Sequence, residues 1–104
     1  MKSITVTELK EKLERKENFT LLDVREENEI LYAKIDPHKN IPTGSIVNKH
    51  KELDKKMPIV VMCHSGVRSA QVCQYLEPLG YNVANLEGGI QEWSLIIDPS
   101  VPQY

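Results

Sequence analysis

Cysteine is scarce in this chain: Cys63 and Cys73 are the only two, without C-x-x-C spacing. A disulfide framework is thereby excluded, which leaves thiol chemistry or core packing as the reason for each. Long apolar runs are missing too. The longest, residues 59–63, falls far short of the roughly 18 residues a membrane span requires, and the Met1-Lys2 start leads into a polar segment without a signal-peptide core. The expectation is a soluble, cytoplasmic protein with no membrane partner. No block of like charge occurs: 13 basic residues face 15 acidic ones, so no arm for nucleic acid is present. The three histidines, His38, His50 and His64, lack the paired ligand spacings of a zinc site, and neither a metal nor a cofactor is called for. With 104 residues, one core is the natural expectation: a single domain over 1–104, with its core at about 3–94 and a tail at 95–104.

What is present alternates short apolar runs with amphipathic segments, the pattern of an α/β fold. The reading places strands at 3–7, 19–24, 58–63 and from 81 toward the Gly88-Gly89 pair, with a further short strand near 45–47. Helices are placed at 8–16, 25–33, 68–79 and from the glycine pair onward. "PIVVMC" (58–63) is the clearest buried strand. Helical spacing of Ala70, Cys73, Leu76 and Leu79 puts Cys73 on a core stripe, and Gly80 supplies a stop.

Cys63 falls at the carboxyl end of that strand, where open α/β sheets place their functional crevice. The segment "CHSGVR" can curl so that successive N–H groups point inward, with Gly66 permitting the tight turn and the following helix N-terminus completing an anion-binding cup. A sulfur held there is favoured as thiolate by amide dipoles and by the Arg68 guanidinium, so Cys63 is the candidate nucleophile. His64 has two readings, a general base or a bystander in a loop whose thiolate needs none. The plain alternative for the whole stretch is a strand-to-helix turn around an inert cysteine.

These residues resemble the rhodanese-like domain family, whose active loop looks like C-x-S-G-x-R-S after an apolar strand. Here it reads "VVMCHSGVRSAQVCQYL", with "LLDVREENE", "IPTGSIVN" and "LGYNVANLEGGIQEW" in family order. The resemblance implies a three-layer α/β/α fold around a central, mainly parallel sheet of about five strands. It implies a sulfurtransferase in which Cys63 carries a sulfane sulfur between a small donor anion such as thiosulfate, or a protein persulfide, and a thiol or cyanide acceptor. By that likeness His64, Ser65, Gly66, Val67, Arg68 and Ser69 line the substrate. Asp23 and Arg25 support the loop, although Arg25 reads equally as a solvated surface residue. Four residues between Cys63 and Arg68 make the six-residue loop this family associates with sulfur; related phosphatases have one more. The alternative reading is a persulfide carrier or regulatory interaction module without turnover. "KNIPTGSI" departs from the family pattern by an inserted Thr43 and a missing histidine, which opens the question of donor preference.

Overall fold

Thr5 sets the first boundary. Its hydroxyl accepts the Glu8 amide at 3.2 Å while the Glu8 carboxylate accepts the Thr5 amide at 3.1 Å, a reciprocal cap that starts a helix. The computed structural model, which describes all 104 residues, therefore confines strand β1 to Lys2–Ile4 and begins helix α1 at Val6, running Val6–Glu14. The strand expected over 3–7 stops early because this cap outweighs the β-branched run that suggested it.

Strand β2 (Thr20–Asp23) leads into the short helix α2 (Glu27–Tyr32). Strand β3 is only Lys39–Asn40. Residues 45–47, expected as a strand, are instead the end of a 3₁₀ turn (Thr43–Ser45) and the start of helix α3 (Ile46–Lys49). The Ser45 amide donates back to the Pro42 carbonyl at 2.8 Å, and burial of Ile46 overrides its β propensity. Strand β4 (Ile59–Met62), helix α4 (Val67–Leu76), strand β5 (Val83–Leu86) and helix α5 (Gly89–Glu92) follow; a π-helical turn, Trp93–Ile97, prolongs α5.

The five strands form one sheet in the order β1-β5-β4-β2-β3, every pair parallel. Alternation along β4 divides the core. Ile59, Val61 and Cys63 face the side covered by Val72, Cys73 and Leu76 of α4, while Val60 and Met62 face Leu9 of α1 together with Ile90 and Trp93. A central strand buried on both faces is therefore apolar throughout, and each such side chain contributes roughly 1.5–3 kcal/mol. In register, Asp23 sits beside Met62 and Val61 beside Asn85, so the loops leaving β2, β4 and β5 emerge side by side.

The segment after residue 95 packs back onto the domain. Val101 is buried in the α1 side of the core, the Ser94 hydroxyl donates to its carbonyl, and Tyr104 returns to the edge where the strands end. No helix is long and apolar enough to cross a membrane.

Candidate active site

Cys63 is the first residue beyond β4, and only 1% of it is exposed. Burial alone would fit an inert core thiol, but the surrounding backbone decides otherwise. The Gly66 amide donates to Cys63 Sγ at 3.1 Å and the Ser69 amide at 3.4 Å. Ser69 is the third residue of α4, so its N–H is one of the donors a helix leaves unpaired at its start. Gly66 occupies the cap position with φ 103° and has no side chain to offer; the sulfur takes the place of the missing cap oxygen. A Cβ at Gly66 would touch the Gly88 amide and the Leu86 carbonyl at 3.4 Å in a conformation that side chains rarely adopt.

The loop is fixed from below by α5. Its Ile90 and Gln91 amides donate to the Cys63 and His64 carbonyls, each at 3.0 Å, which turns those carbonyls away from the sulfur. Gly89 permits this approach, since a Cβ there would lie 2.4 Å from the His64 carbonyl oxygen. Asn85, the polar member of β5 buried among apolar neighbours, completes the cup. Its Nδ2 donates to the Gly66 carbonyl at 3.1 Å and its Oδ1 accepts the Ser69 hydroxyl at 2.5 Å.

These contacts set the state of the thiol. Burial pushes Cys63 up, but the Ser69 hydroxyl and the amides of Ser69, Gly66 and Ser65 outweigh it, and the thiol lies below its ordinary value. The serine has one proton, which goes to Asn85 while the amide of that asparagine is held by Gly66. In the neutral form the thiol donates to Ser69 Oγ at 3.3 Å, and on ionisation the serine proton must turn toward the sulfur. The amides of Gly66 and Ser69 face the sulfur in both states, and the Ser69 hydroxyl joins them once the thiol ionises. Cys73 is the contrast: burial and the Glu77 carboxylate push it up to about 11, the state of a packing thiol.

Several expected roles change in the structure. Arg68 does not aim freely at the sulfur; its guanidinium makes a bidentate pair with Glu29 at 2.8 and 2.9 Å. That pairing comes first among the causes holding the Glu29 carboxyl down at about 2. Arg25 is no surface residue. It is fully buried, bonded to both Asp23 oxygens (2.8–3.2 Å), to the Ala33 carbonyl (2.8 Å) and to the Tyr104 hydroxyl (2.9 Å). Asp23 and Arg25 thus staple the end of β2 to the end of α2. His64 makes no pair with the thiol. Its ring stacks on Tyr104 at 4.1 Å and 13°, and its Nε2 is buried without a partner. Val67 points outward, 64% exposed, and Ser65 lines a surface groove with Gly88 and Leu95.

Sequence reasoning missed Glu29, Asn85 and Tyr104. A buried asparagine in an otherwise apolar strand was a readable signal; the other two are defined only by contacts across the fold. No group of three histidine, cysteine or carboxylate side chains is placed to hold a metal ion. The arrangement places two backbone amides on the Cys63 sulfur, donors that favour its ionised form.

Comparison with known proteins agrees with this layout. The sequence model of the rhodanese-like domain matches residues 5–95. YtwF of Bacillus subtilis is 41% identical over 93 residues, 89% of this chain and 90% of that protein. A sulfurtransferase of Allochromatium vinosum is 37% identical over 87 residues, covering 83% and 81%. Other relatives are longer, and the chain spans 23% to 50% of their length. Among solved structures, a rhodanese-like domain protein from Staphylococcus aureus superposes with a TM-score of 0.87 at 36% identity, over 100% of this chain and 99% of that one.

Proposed function

The chain belongs to the rhodanese-like domain family, a family of sulfurtransferases, and on that premise we propose that it moves a sulfane sulfur through a persulfide on Cys63. The donor is thiosulfate or a persulfide, and the acceptor a thiol or cyanide. In the first half-reaction the Cys63 thiolate attacks the outer sulfur of thiosulfate. The Sγ–S bond forms, the S–S bond of the donor breaks, and sulfite leaves with the electron pair. The persulfide anion now sits where the thiolate sat. In the second half-reaction cyanide attacks the outer sulfur and leaves as thiocyanate, regenerating the thiolate; a thiol acceptor leaves as a persulfide.

The observation that carries this reading is the pair of amides on Cys63 Sγ. Amides that stabilise a thiolate also stabilise a terminal persulfide anion, which carries the same charge one bond further out. The six-residue ring supports sulfur over phosphate, because a shorter loop cannot wrap the three oxygens of a phosphoryl group. Two free thiols fit work in a reducing, cytoplasmic setting. In this reading residues 1–104 act as one domain, the segment after 95 included, and Asp23 and Arg25 support the loop rather than touch the donor.

Peptide mass mapping after thiosulfate treatment tests it. A gain of about 32 Da, one sulfur, is expected on the peptide bearing Cys63 and is reversed by cyanide. No gain from thiosulfate or any persulfide would end the proposal.

A second reading, a carrier loaded by and unloading onto a protein, is favoured by one observation. The thiol lines none of the surface grooves, while Val67, four residues on at the start of α4, and Leu31 and Tyr32 of α2, the helix whose Glu29 pairs with Arg68, stand exposed. Steady-state turnover with thiosulfate and cyanide separates the two, since a carrier labels slowly or only when a protein donor is present.

A further inference from the structure

The charges around Cys63 are already spent. Two guanidinium groups stand by the active loop, and each has its own carboxylate. Arg25 is closed off by Asp23 in a fully buried pair, and Arg68 is gripped by Glu29 through two bonds. Two positive and two negative charges leave a formal sum of zero, and only amide dipoles remain to receive an anion.

Glu29 cannot swing away at little cost. Besides Arg68, its Oε2 accepts the Glu26 amide at 2.8 Å as part of the cap of α2, and its Oε1 accepts the Tyr104 hydroxyl at 3.2 Å. The same hydroxyl accepts from Arg25 at 2.9 Å, and the Tyr104 ring lies against both His64 and Tyr32. The carboxylate is only 17% exposed and the guanidinium 33%. The start of α2, the loop helix α4 and the C-terminal segment thus converge on a negative charge beside the one cation of the loop helix that the Cys63 charge feels. A bidentate, partly shielded pair of this kind is among the stronger polar contacts a protein makes.

Resting on the sulfur-transfer reading, we infer that Glu29 is a specificity-determining residue that sets the site against dianionic donors and toward sulfane donors of lower charge, such as thiosulfonate monoanions and persulfides. Attack by a thiolate on thiosulfate gathers three negative charges at one place, whereas attack on a methanethiosulfonate ion gathers two. The chemistry is otherwise the same: the Sγ–S bond forms, the donor S–S bond breaks, and sulfite or methanesulfinate departs with the pair. A free Arg68 would favour the more highly charged encounter; an Arg68 neutralised by Glu29 does so far less.

The test compares kcat/KM for thiosulfate with kcat/KM for methanethiosulfonate, cyanide being the acceptor in both. Taking the ratio cancels any change in nucleophilicity or folding that acts on both donors. Glu29→Gln keeps the shape and the capping role of the side chain but removes its charge, and raises the ratio about tenfold. Arg68→Gln leaves the Glu29 charge uncompensated and lowers the ratio by about as much. The double variant restores a sum of zero and returns the ratio close to that of the unaltered protein. Because the two single variants move it in opposite directions, loss of one to misfolding leaves the other decisive. A ratio constant within about twofold across the variants overturns the inference while sulfur transfer stands. If neither donor turns over and Cys63 gains no sulfur, the sulfur-transfer reading falls first and carries this one with it.

Discussion

Cys63→Ser is expected to reduce sulfur transfer by about a thousandfold or more, to the background of the assay, with no sulfur gained on any peptide. The size follows from the chemistry at this one atom. A serine hydroxyl at neutral pH is un-ionised, has no activating base within the loop, and cannot carry a sulfur in an S–S bond. The Gly66 and Ser69 amides would remain, but they would face an oxygen with nothing to donate to the reaction. Cys73 cannot substitute. It is fully buried on α4, and its thiol is held at about 11, so almost none of it is thiolate at neutral pH. Stability should change little, because serine is close to isosteric and its hydroxyl can pair with Ser69. Transfer that survives at a tenth or more of the original rate would place the reacting thiol elsewhere.

Asp23→Asn should destabilise the fold by about 3–5 kcal/mol, read from the denaturant midpoint. Asp23 and Arg25 are both fully buried, and the carboxylate receives the Arg25 amide, Nε and one terminal nitrogen. An asparagine there keeps one acceptor oxygen but removes the counter-charge and turns an NH2 toward a guanidinium donor, so the guanidinium is left in the interior as an uncompensated charge with the Ala33 carbonyl and the Tyr104 hydroxyl beside it. The loss would be a large part of the roughly 5–15 kcal/mol that holds a domain of this size together. Replacing the pair with apolar residues, Asp23→Leu with Arg25→Met, should recover much of it, since the cost lies in the unpaired charge and not in the absence of an ion pair. If the single change costs under about 1 kcal/mol, the pair does not staple β2 to α2 as described.

Where local pattern and tertiary contact agree, the sequence was readable. The apolar run at 59–62 must be buried on both faces, and the polar turn with Gly66 after it can only be a strand-to-helix loop; β4, the cup and α4 follow from those residues. β3 was not legible because a two-residue edge strand of Lys39 and Asn40 has no hydrophobic period to detect. Its place was given to 45–47, where Ile46 and Val47 have the right propensity but the Thr43–Ser45 turn starts a helix instead. The strand reading over 3–7 passed over the T-x-x-E spacing from Thr5 to Glu8, whose cap outweighs the β-branched pattern beside it. At the site, Cys63, Gly66 and Ser69 are close in sequence, so the contact among them was legible from the loop alone. The partner of Arg68 was not legible. An arginine near a cysteine suggests a cation for the anion, and only the fold reveals that Glu29, 39 residues away in sequence, has claimed it. Tyr104 escaped for the same reason, since nothing near it in sequence announces His64 or Arg25.

The claim beneath all of this is that the hydrogen bonds of the loop, from the Ser69 hydroxyl and the backbone amides, hold the Cys63 thiol below its ordinary value although it is buried. Thiolate absorbance near 240 nm, followed through a pH titration of the folded protein, reads that state without requiring a reagent to reach the sulfur. A thiol below its ordinary value is an acid that ionises early, so absorbance and the rate of sulfur uptake should rise with pH together, with a midpoint below that of a free cysteine. Subtracting the Cys63→Ser titration removes the high-pH absorbance of tyrosine and of Cys73, which is pushed up to about 11, and leaves the step of Cys63 alone. A first step at or above the value of a free cysteine, unchanged by Cys63→Ser, would contradict the account.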